Sequence, residues 1–293
     1  MPSSHPTSIK RARTAGAICL LLVMLGLCLP PLAAREPERV GRARRETDRN
    51  LRTAFRAAGA LYPPRGVHFR VFKRERLLEV WSRKSDSNGL VRVLTYVFCD
   101  TSGVLGPKRR QGDLQIPEGI YRIDRFNPWS QFYLSLGIDY PNASDRLLGE
   151  RGNPGGDIFI HGECVTIGCI PITTPKIKEL YWAAEQARRA GQNRITVHIY
   201  PGRMHAAGWD ALQKQAGDRQ YWRRFKSLTG DTHPRTPAEL IRFWESLKRI
   251  HDRFEATRTV PRVRIDGRGG YRLETPPHGS ASTGNRCQGM PRQ

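Results

Sequence analysis

Residues 67–98 carry a pattern that few folds accommodate, in which apolar and polar side chains alternate in short runs separated by turn residues at 73–76 and 86–89. An extended strand places successive side chains on opposite faces, so each run predicts a strand with one buried face. Three such runs joined by tight turns predict an antiparallel meander. Further alternating or short apolar runs predict strands at 120–123, 132–138, 157–161 and 194–200.

Two helix-start signals lie in the C-terminal half of the chain. Thr174 and Pro175 suit a cap and a first helical turn, and Gly191 supplies a stop. The stretch 236–239, Thr-Pro-Ala-Glu, is a capping signature that opens a second helix. Both helices carry apolar stripes that would support a sheet. The predicted fold class is therefore β-rich α+β.

The first 34 residues are typical of a secretory signal peptide. Basic residues at the start precede an apolar run at 15–29 and small residues that suit cleavage near Ala33 or Ala34. An uncut membrane anchor is the alternative, although the run is short for a spanning helix. The segments that we expect are a signal peptide (1–34), a linker with a short helix near 51–58 (35–64), a folded domain (65–202), a helical extension packed on it (203–273) and a disordered basic tail (274–293).

The chain is strongly basic, with 49 Lys and Arg against 27 Asp and Glu and a formal net charge of +22. Loss of residues 1–34 removes three basic and no acidic residues, which leaves +19. Such a charge attracts polyanions, but export and the lack of a nucleic-acid-binding motif argue against nucleic acid. Peptidoglycan carboxylates and acidic envelope lipids are better candidates, and a merely solvated basic surface is the alternative.

Six cysteines are present, two of them inside the signal segment. Cys99, Cys164, Cys169 and Cys287 remain, and four cysteines allow three full pairings. If one of them is a nucleophile it must stay reduced, so at most one disulfide forms among the others. Among the open pairings we favour Cys99 with Cys164.

The stretch 155–170 combines the residue types of a cysteine nucleophile. His161 ends a predicted strand, and Cys169 follows Gly168 a short distance later. A free thiol, with a pKa of about 8.5, is mostly protonated at neutral pH, and a neighbouring imidazole can lower that value. Gly168 keeps the backbone open, so that the amides of residues 168 and 169 can face a developing oxyanion, and Thr166 can brace the turn.

Three other interpretations fit the same stretch. Cys169 can be an inert buried cysteine, since Ile170 and Ile172 follow it. His161, Cys164 and Cys169 can belong to a zinc site, although no fourth ligand lies nearby and the spacing differs from standard structural sites. A disulfide between Cys164 and Cys169 would abolish the nucleophile. The spacing alone does not decide among them.

Ordered motifs surround this stretch on both sides. They are Gly106-Pro107-Lys108 with Gly112-Asp113, Pro117-Glu118-Gly119-Ile120-Tyr121, Leu134-Ser135-Leu136, Tyr140-Pro141-Asn142-Ala143 and Val197-His198-Ile199-Tyr200-Pro201. With these motifs the chain resembles the L,D-transpeptidase catalytic domain of the YkuD type, in the murein branch called YafK-like. The resemblance covers about residues 67–273.

The resemblance implies an L,D-transpeptidase-like β-sandwich with supporting helices and no cofactor or metal. It implies that the Cys169 thiolate attacks the L-centre diaminopimelate carbonyl of a peptidoglycan stem peptide, that His161 is the base and that the Gly162 carbonyl orients the imidazole. The resulting thioester would pass to an amine acceptor, either another stem peptide or a lysine of an outer-membrane lipoprotein. Such an exported enzyme would work in the periplasm.

Two departures from the broad family pattern bear on donor recognition. The usual Ser-His-Gly-Cys is replaced by Thr166-Ile167-Gly168-Cys169, and Pro171 stands where a polar residue is common. A hydrolase with the same Cys/His pair, which cuts stem peptides or releases attached lipoprotein, is the enzymatic alternative. A non-enzymatic basic module that binds peptidoglycan is the other.

Overall fold

The computed structural model describes residues 37–87 and 89–274. The predicted signal segment at 1–34 and, apart from Glu274, the predicted disordered tail lie outside the described residues. None of the described helices combines the length and the apolar character needed to cross a bilayer.

Eight strands form one mixed sheet with the order β3-β2-β1-β8-β4-β5-β6-β7. The first three are the predicted antiparallel meander, which is confirmed. Because β1 and β8 are parallel neighbours, the chain between them must cross from one end of the sheet to the other before β8 can pair with β1. The strands are β1 (Val67–Phe72), β2 (Leu77–Arg83), β3 (Leu90–Val97), β4 (Gly119–Asn127), β5 (Ser135–Ile138), β6 (Phe159–His161), β7 (Ile170–Pro171) and β8 (Thr196–Tyr200).

Strand β4 joins the two halves of this sheet. Its first residues, 119–122, pair with β8, and its later residues pair with β5. The register shifts between Ile123 and Arg125, and such an irregularity bends a strand. Apolar side chains from both halves, such as Phe69 and Leu136, belong to one buried cluster, which α3 (Thr174–Arg189) completes with Leu180. The predicted β-rich α+β class is confirmed.

The prediction of a linker at 35–64 with a helix near 51–58 is wrong, because helix α1 already begins at Glu38 and runs to Ala57. Its buried side chains, among them Val40, Ala43 and Leu51, recur every three or four residues. The stripe is narrow and the remaining positions are mostly charged, so the periodicity is weak in the sequence. α1 packs against α3, where the Trp182 indole donates to Asp48 at 2.9 Å.

The segment after β8 is mainly helical. It contains α4 (Ala206–Gly217), α5 (Arg219–Thr229) and α6 (Pro237–Thr257), followed by a hairpin of β9 (Val263–Ile265) and β10 (Tyr271–Leu273); a short helix, α2 (Ala143–Leu148), precedes β6. The predicted cap of α6 is confirmed, since the Thr236 hydroxyl accepts the Glu239 amide at 3.2 Å. The start of α3 differs by one residue, because its N-cap is Thr173 instead of Thr174.

Candidate active site

Strands β6 and β7 bring the two candidate catalytic residues to neighbouring positions at the edge of the sheet, with His161 at the end of β6 and Cys169 just before β7. The strands are parallel, with Ile160 opposite Ile170 and His161 opposite Pro171. Both isoleucines belong to the buried core. Cys169 immediately precedes β7, and its Sγ accepts the backbone amide of Phe159, which lies two residues before His161 on β6.

The imidazole of His161 is buried and held in one orientation. Its Nδ1 lies 2.5 Å from the carbonyl oxygen of Gly162, which can only accept, so Nδ1 carries the proton and Nε2 keeps a free lone pair. The Phe132 ring stacks on the imidazole with centroids 4.5 Å apart. Burial lowers the pKa of His161, and the bond to Gly162 opposes that shift only in part. The ring is therefore a neutral base at neutral pH.

Among the described cysteines, Cys169 carries the free thiol. Its Sγ accepts the Phe159 amide at 3.4 Å and donates to the Asp157 carbonyl at 3.7 Å. Burial raises the pKa of this thiol, and the Phe159 amide and the charge of Lys108 only partly oppose the shift. Desolvation outweighs these two stabilising contacts in the resting state, and the lowering of the thiol pKa by the imidazole stays a prediction.

Thr166 braces the turn before the cysteine, as predicted. Its hydroxyl donates to the Cys169 carbonyl at 2.8 Å and accepts the Gly168 amide at 3.1 Å. Gly168 has φ +139°, and a Cβ there would lie 3.1 Å from the Gln115 carbonyl oxygen. The Gly168 amide is thus engaged with Thr166, which leaves the neighbouring Cys169 amide as the better placed donor for an oxyanion.

A disulfide joins Cys99 to Cys164, with 5.2 Å between the Cα atoms. The favoured pairing is confirmed, and it ties the loop before Cys169 to the end of β3. It also removes Cys164 from the zinc interpretation and rules out a Cys164–Cys169 bond in this state. The short stretch that separates Cys164 from Cys169 is thereby anchored at its start.

A buried ion pair behind the site was not predicted from the sequence. Lys108 donates to Asp113 at 2.7 Å and to the Arg110 carbonyl at 2.9 Å. Asp113 in turn accepts the backbone amides of Arg109, Arg110 and Gln115. The motif residues Lys108 and Asp113 were visible in the sequence, but nothing there linked them to the thiol.

The loop between β6 and β7, residues 162–169, exposes apolar side chains to solvent. Val165 is 51% exposed and Ile167 is 78% exposed, in contrast to the buried isoleucines that follow Cys169. Trp129, in the β4–β5 loop that also carries Phe132, is 70% exposed. Isolated exposed apolar side chains are ordinary, but these three lie on the two loops that supply Cys169 and cover His161.

The fold and the site define an α+β protein with a histidine at the end of strand β6 and a free cysteine just before the neighbouring strand β7. The family model for the L,D-transpeptidase catalytic domain, YkuD, matches residues 67–199. YafK of Escherichia coli strain K12, whose name assigns it to the L,D-transpeptidases, is 36% identical over 201 residues, which cover 68% of this chain and 70% of the relative. The YafK sequence of E. coli O157:H7 matches to the same extent. The chain belongs to the YkuD family of L,D-transpeptidases.

Solved structures give more distant matches. The K307A mutant of the helical cell shape determining protein Pgp2 from Campylobacter jejuni matches with 21% identity and a TM-score of 0.38, over 52% of this chain and 55% of that one. Bd1075 of Bdellovibrio bacteriovorus matches with 19% identity and a TM-score of 0.35, over 55% and 53%. The chain thus spans about half of each of these two proteins.

Proposed function

We propose that this protein is an exported cysteine L,D-transpeptidase that acts on peptidoglycan stem peptides in the periplasm. The observation that carries the proposal is a free Cys169 thiol bonded to the β6 backbone two residues before His161, whose Nδ1 is locked to the Gly162 carbonyl. A cysteine nucleophile with an imidazole base and a third group that orients the base is the arrangement required for acyl transfer.

Acylation begins from two neutral groups. The Cys169 S–H proton passes to His161 Nε2 as the sulfur attacks the carbonyl at the L-centre of diaminopimelate. A carbon–sulfur bond forms, the amide bond to the terminal D-amino acid breaks, and the imidazolium returns its proton to the departing amine. The raised pKa of Cys169 and the lowered pKa of His161 both favour this order over a preformed ion pair.

The Cys169 amide is the proposed donor to the oxyanion of the tetrahedral intermediate. The Thr166 hydroxyl donates to the Cys169 carbonyl and accepts the Gly168 amide, so the turn keeps one conformation while negative charge develops on the substrate oxygen. Donors fixed before the reaction stabilise the transition state without reorganising. Thr166 and Gly168 therefore act as positioning residues in this scheme.

An amine resolves the thioester. Its nitrogen attacks the acyl carbon, a new amide bond forms, and the sulfur departs and regains a proton through His161. A second stem peptide would give a crosslink, and a lipoprotein lysine would give an attached lipoprotein. The net positive charge of the chain would favour acidic wall polymers and acidic envelope lipids at its surface.

The test is intact-mass spectrometry of the full chain after incubation with a stem tetrapeptide. We expect a mass gain equal to the tripeptidyl acyl group, with release of the D-amino acid. Cys169→Ala should show no adduct, and Cys164→Ala should retain one. An adduct that persists in Cys169→Ala and disappears in Cys164→Ala would place the nucleophile at residue 164.

Digestion of isolated sacculi distinguishes transfer from hydrolysis. New crosslinks or attached amines indicate transfer, as proposed. Shortened or detached peptides without new amide bonds would mean that water is the acceptor. Binding to sacculi with neither an adduct nor a change in the wall would instead indicate a non-enzymatic module and contradict the proposal.

A further inference from the structure

A cavity of about 540 Å³ is lined by Arg109, the residue that follows Lys108 in the chain. Its volume is within the range of small-molecule sites. The rest of the wall comes from the end of α2, from residues 233–234, from α6 and from the β9–β10 turn. The lining residues that matter for its chemistry are Arg109, Leu147, Leu148, Arg242, Phe243 and Arg249.

Cations in this cavity outnumber the acids that could neutralise them. Arg242 and Arg249 are exposed, and within residues 37–87 and 89–274 neither forms an ion pair. Of the two acids of the wall, Asp266 accepts from Arg272 at 2.8 Å, and Glu239 accepts from His233 at 3.2 Å and also interacts with the charge of Arg242. Because Arg242, Arg249 and Arg268 outnumber Glu239, the cavity carries a net positive charge.

Arg109 supplies a buried donor that lacks a partner. Its guanidinium is fully buried, with Nη1 bonded to Asp145 at 3.0 Å and Nε bonded to the His233 carbonyl at 2.9 Å. Its Nη2 is buried and has no hydrogen-bond partner in the described part of the chain. A buried donor left unsatisfied costs free energy that a bound oxygen would recover.

We propose that this cavity binds an organic carboxylate, with one oxygen at Arg109 Nη2 and the charge shared with Arg242 and Arg249. Phe243, which is buried, and Leu147, which is 56% exposed, offer apolar surface beside the cations, and this favours an organic acid over an inorganic ion. The identity of the ligand as a carboxylate of a peptidoglycan stem peptide rests on the proposed function.

The cavity and the thiol share one structural element. Asp113 accepts the Arg109 amide at 2.7 Å and the Lys108 ammonium at 2.7 Å, and Arg109 lines the cavity while the charge of Lys108 acts on Cys169. A stem peptide held by Arg109 would therefore bind next to the Lys108–Asp113 ion pair. The cavity thus gives the chain a second point of attachment to the wall.

Calorimetric titration of the full chain with L-alanyl-γ-D-glutamate tests this. The dipeptide carries the glutamate α-carboxylate of the stem and a free γ-carboxylate but no diaminopimelate, so its binding does not depend on catalysis. We expect saturable binding that weakens about tenfold or more in the Arg242→Gln/Arg249→Gln double variant. The matched control is Arg223→Gln/Arg224→Gln, which removes the same charge from exposed positions on α5 and should bind as the wild type does.

Three results would overturn the inference: equal binding by the Arg242/Arg249 variant, equal binding of the dipeptide diamide, or tighter binding of inorganic phosphate that displaces the dipeptide. Acylation of Cys169 by the tetrapeptide is measured on the same variants. Dipeptide binding without any acylation would support the cavity assignment and contradict the proposed enzymatic function. Acylation without dipeptide binding would support the enzymatic function and contradict the cavity assignment.

Discussion

Phe132 stacks on His161, with ring centroids 4.5 Å apart and planes inclined by 29°. Together with the hydrogen bond from Nδ1 to the Gly162 carbonyl, this contact restricts rotation of the imidazole and holds the ring in one orientation. It also covers the ring and so contributes to the burial that lowers the pKa of His161. The aromatic ring is thus a positioning group for the base.

Replacement of Phe132 by Leu should slow acylation of Cys169 about tenfold to a hundredfold, because the imidazole loses its fixed orientation. Since the neutral imidazole is the base, less burial raises its pKa and moves the rising limb of the pH–rate profile to higher pH. The profile of acyl-enzyme formation checks both effects. Phe126→Leu, which changes a ring in edge-to-face contact with Tyr181, is the control and should leave the pH of the rising limb unchanged.

Arg39 in α1 holds the loop that carries Phe132. Its guanidinium donates to the carbonyls of Ser130 at 2.6 Å and Tyr133 at 2.8 Å. Arg39→Ala should therefore loosen this loop and lower the acylation rate, while Arg42→Ala, which breaks only an exposed pair with Glu38, should not. Hydrogen exchange over residues 128–134 should increase in the first variant alone. Unchanged hydrogen exchange over residues 128–134 in Arg39→Ala would show that Arg39 does not hold this loop.

Alkylation of Cys169 should report a protonated resting thiol. Because burial raises its pKa, the rate of iodoacetamide labelling should rise with pH through an inflection above the ordinary value of about 8.5. Peptide-level mass spectrometry resolves residue 169 from the other cysteines. An inflection well below 8.5 would show a thiolate–imidazolium pair in the free enzyme instead.

Thr166→Val removes a hydroxyl that makes two hydrogen bonds within the site turn. We expect a loss of about 1–2 kcal/mol in the free energy of unfolding and a larger relative loss in acylation rate, since the Cys169 amide is no longer fixed. Thr166→Ser keeps the hydroxyl and should restore both. Chemical denaturation and single-turnover acylation measure the two quantities, and a fully active Val variant would show that the brace is dispensable.

Loss of the Cys99–Cys164 disulfide should destabilise the fold without removing the nucleophile. A crosslink closing a loop of this length restricts the unfolded chain, so the Cys99→Ser/Cys164→Ser double variant should lose about 2–4 kcal/mol. Acylation of Cys169 should persist below the melting temperature. Thermal unfolding with and without reductant checks the first part, and the intact-mass assay checks the second.

The sequence could predict what is local and could not predict what is assembled from distant segments. His161, Thr166 and Cys169 lie within one short excursion, so their spacing already indicated a common site. Phe132 contacts the imidazole from the β4–β5 loop, and Arg39 of α1 holds that loop. No pattern in the sequence around either residue marks it as part of the site. The raised pKa of Cys169 arises from burial, which only the packed structure defines.

The same principle explains the errors in the secondary structure. The meander at 67–98 was predictable because alternation and turn residues agree. α1 was not, because its core contacts are few and lie among charged residues that by themselves are typical of a linker. Helices whose stability comes from packing against another element, here α3, carry weak signals of their own.

The neighbouring disulfide gives the shielding of Cys169 a further meaning. If this protein matures where disulfides form, Cys99 and Cys164 must be oxidised while the thiol of Cys169, five residues after Cys164, stays reduced. Exchange and peroxide attack both require the thiolate, and burial holds Cys169 in its protonated form. Because the raised pKa should slow alkylation of Cys169, it should slow sulfenic acid formation in the same way and so keep this sulfur reduced.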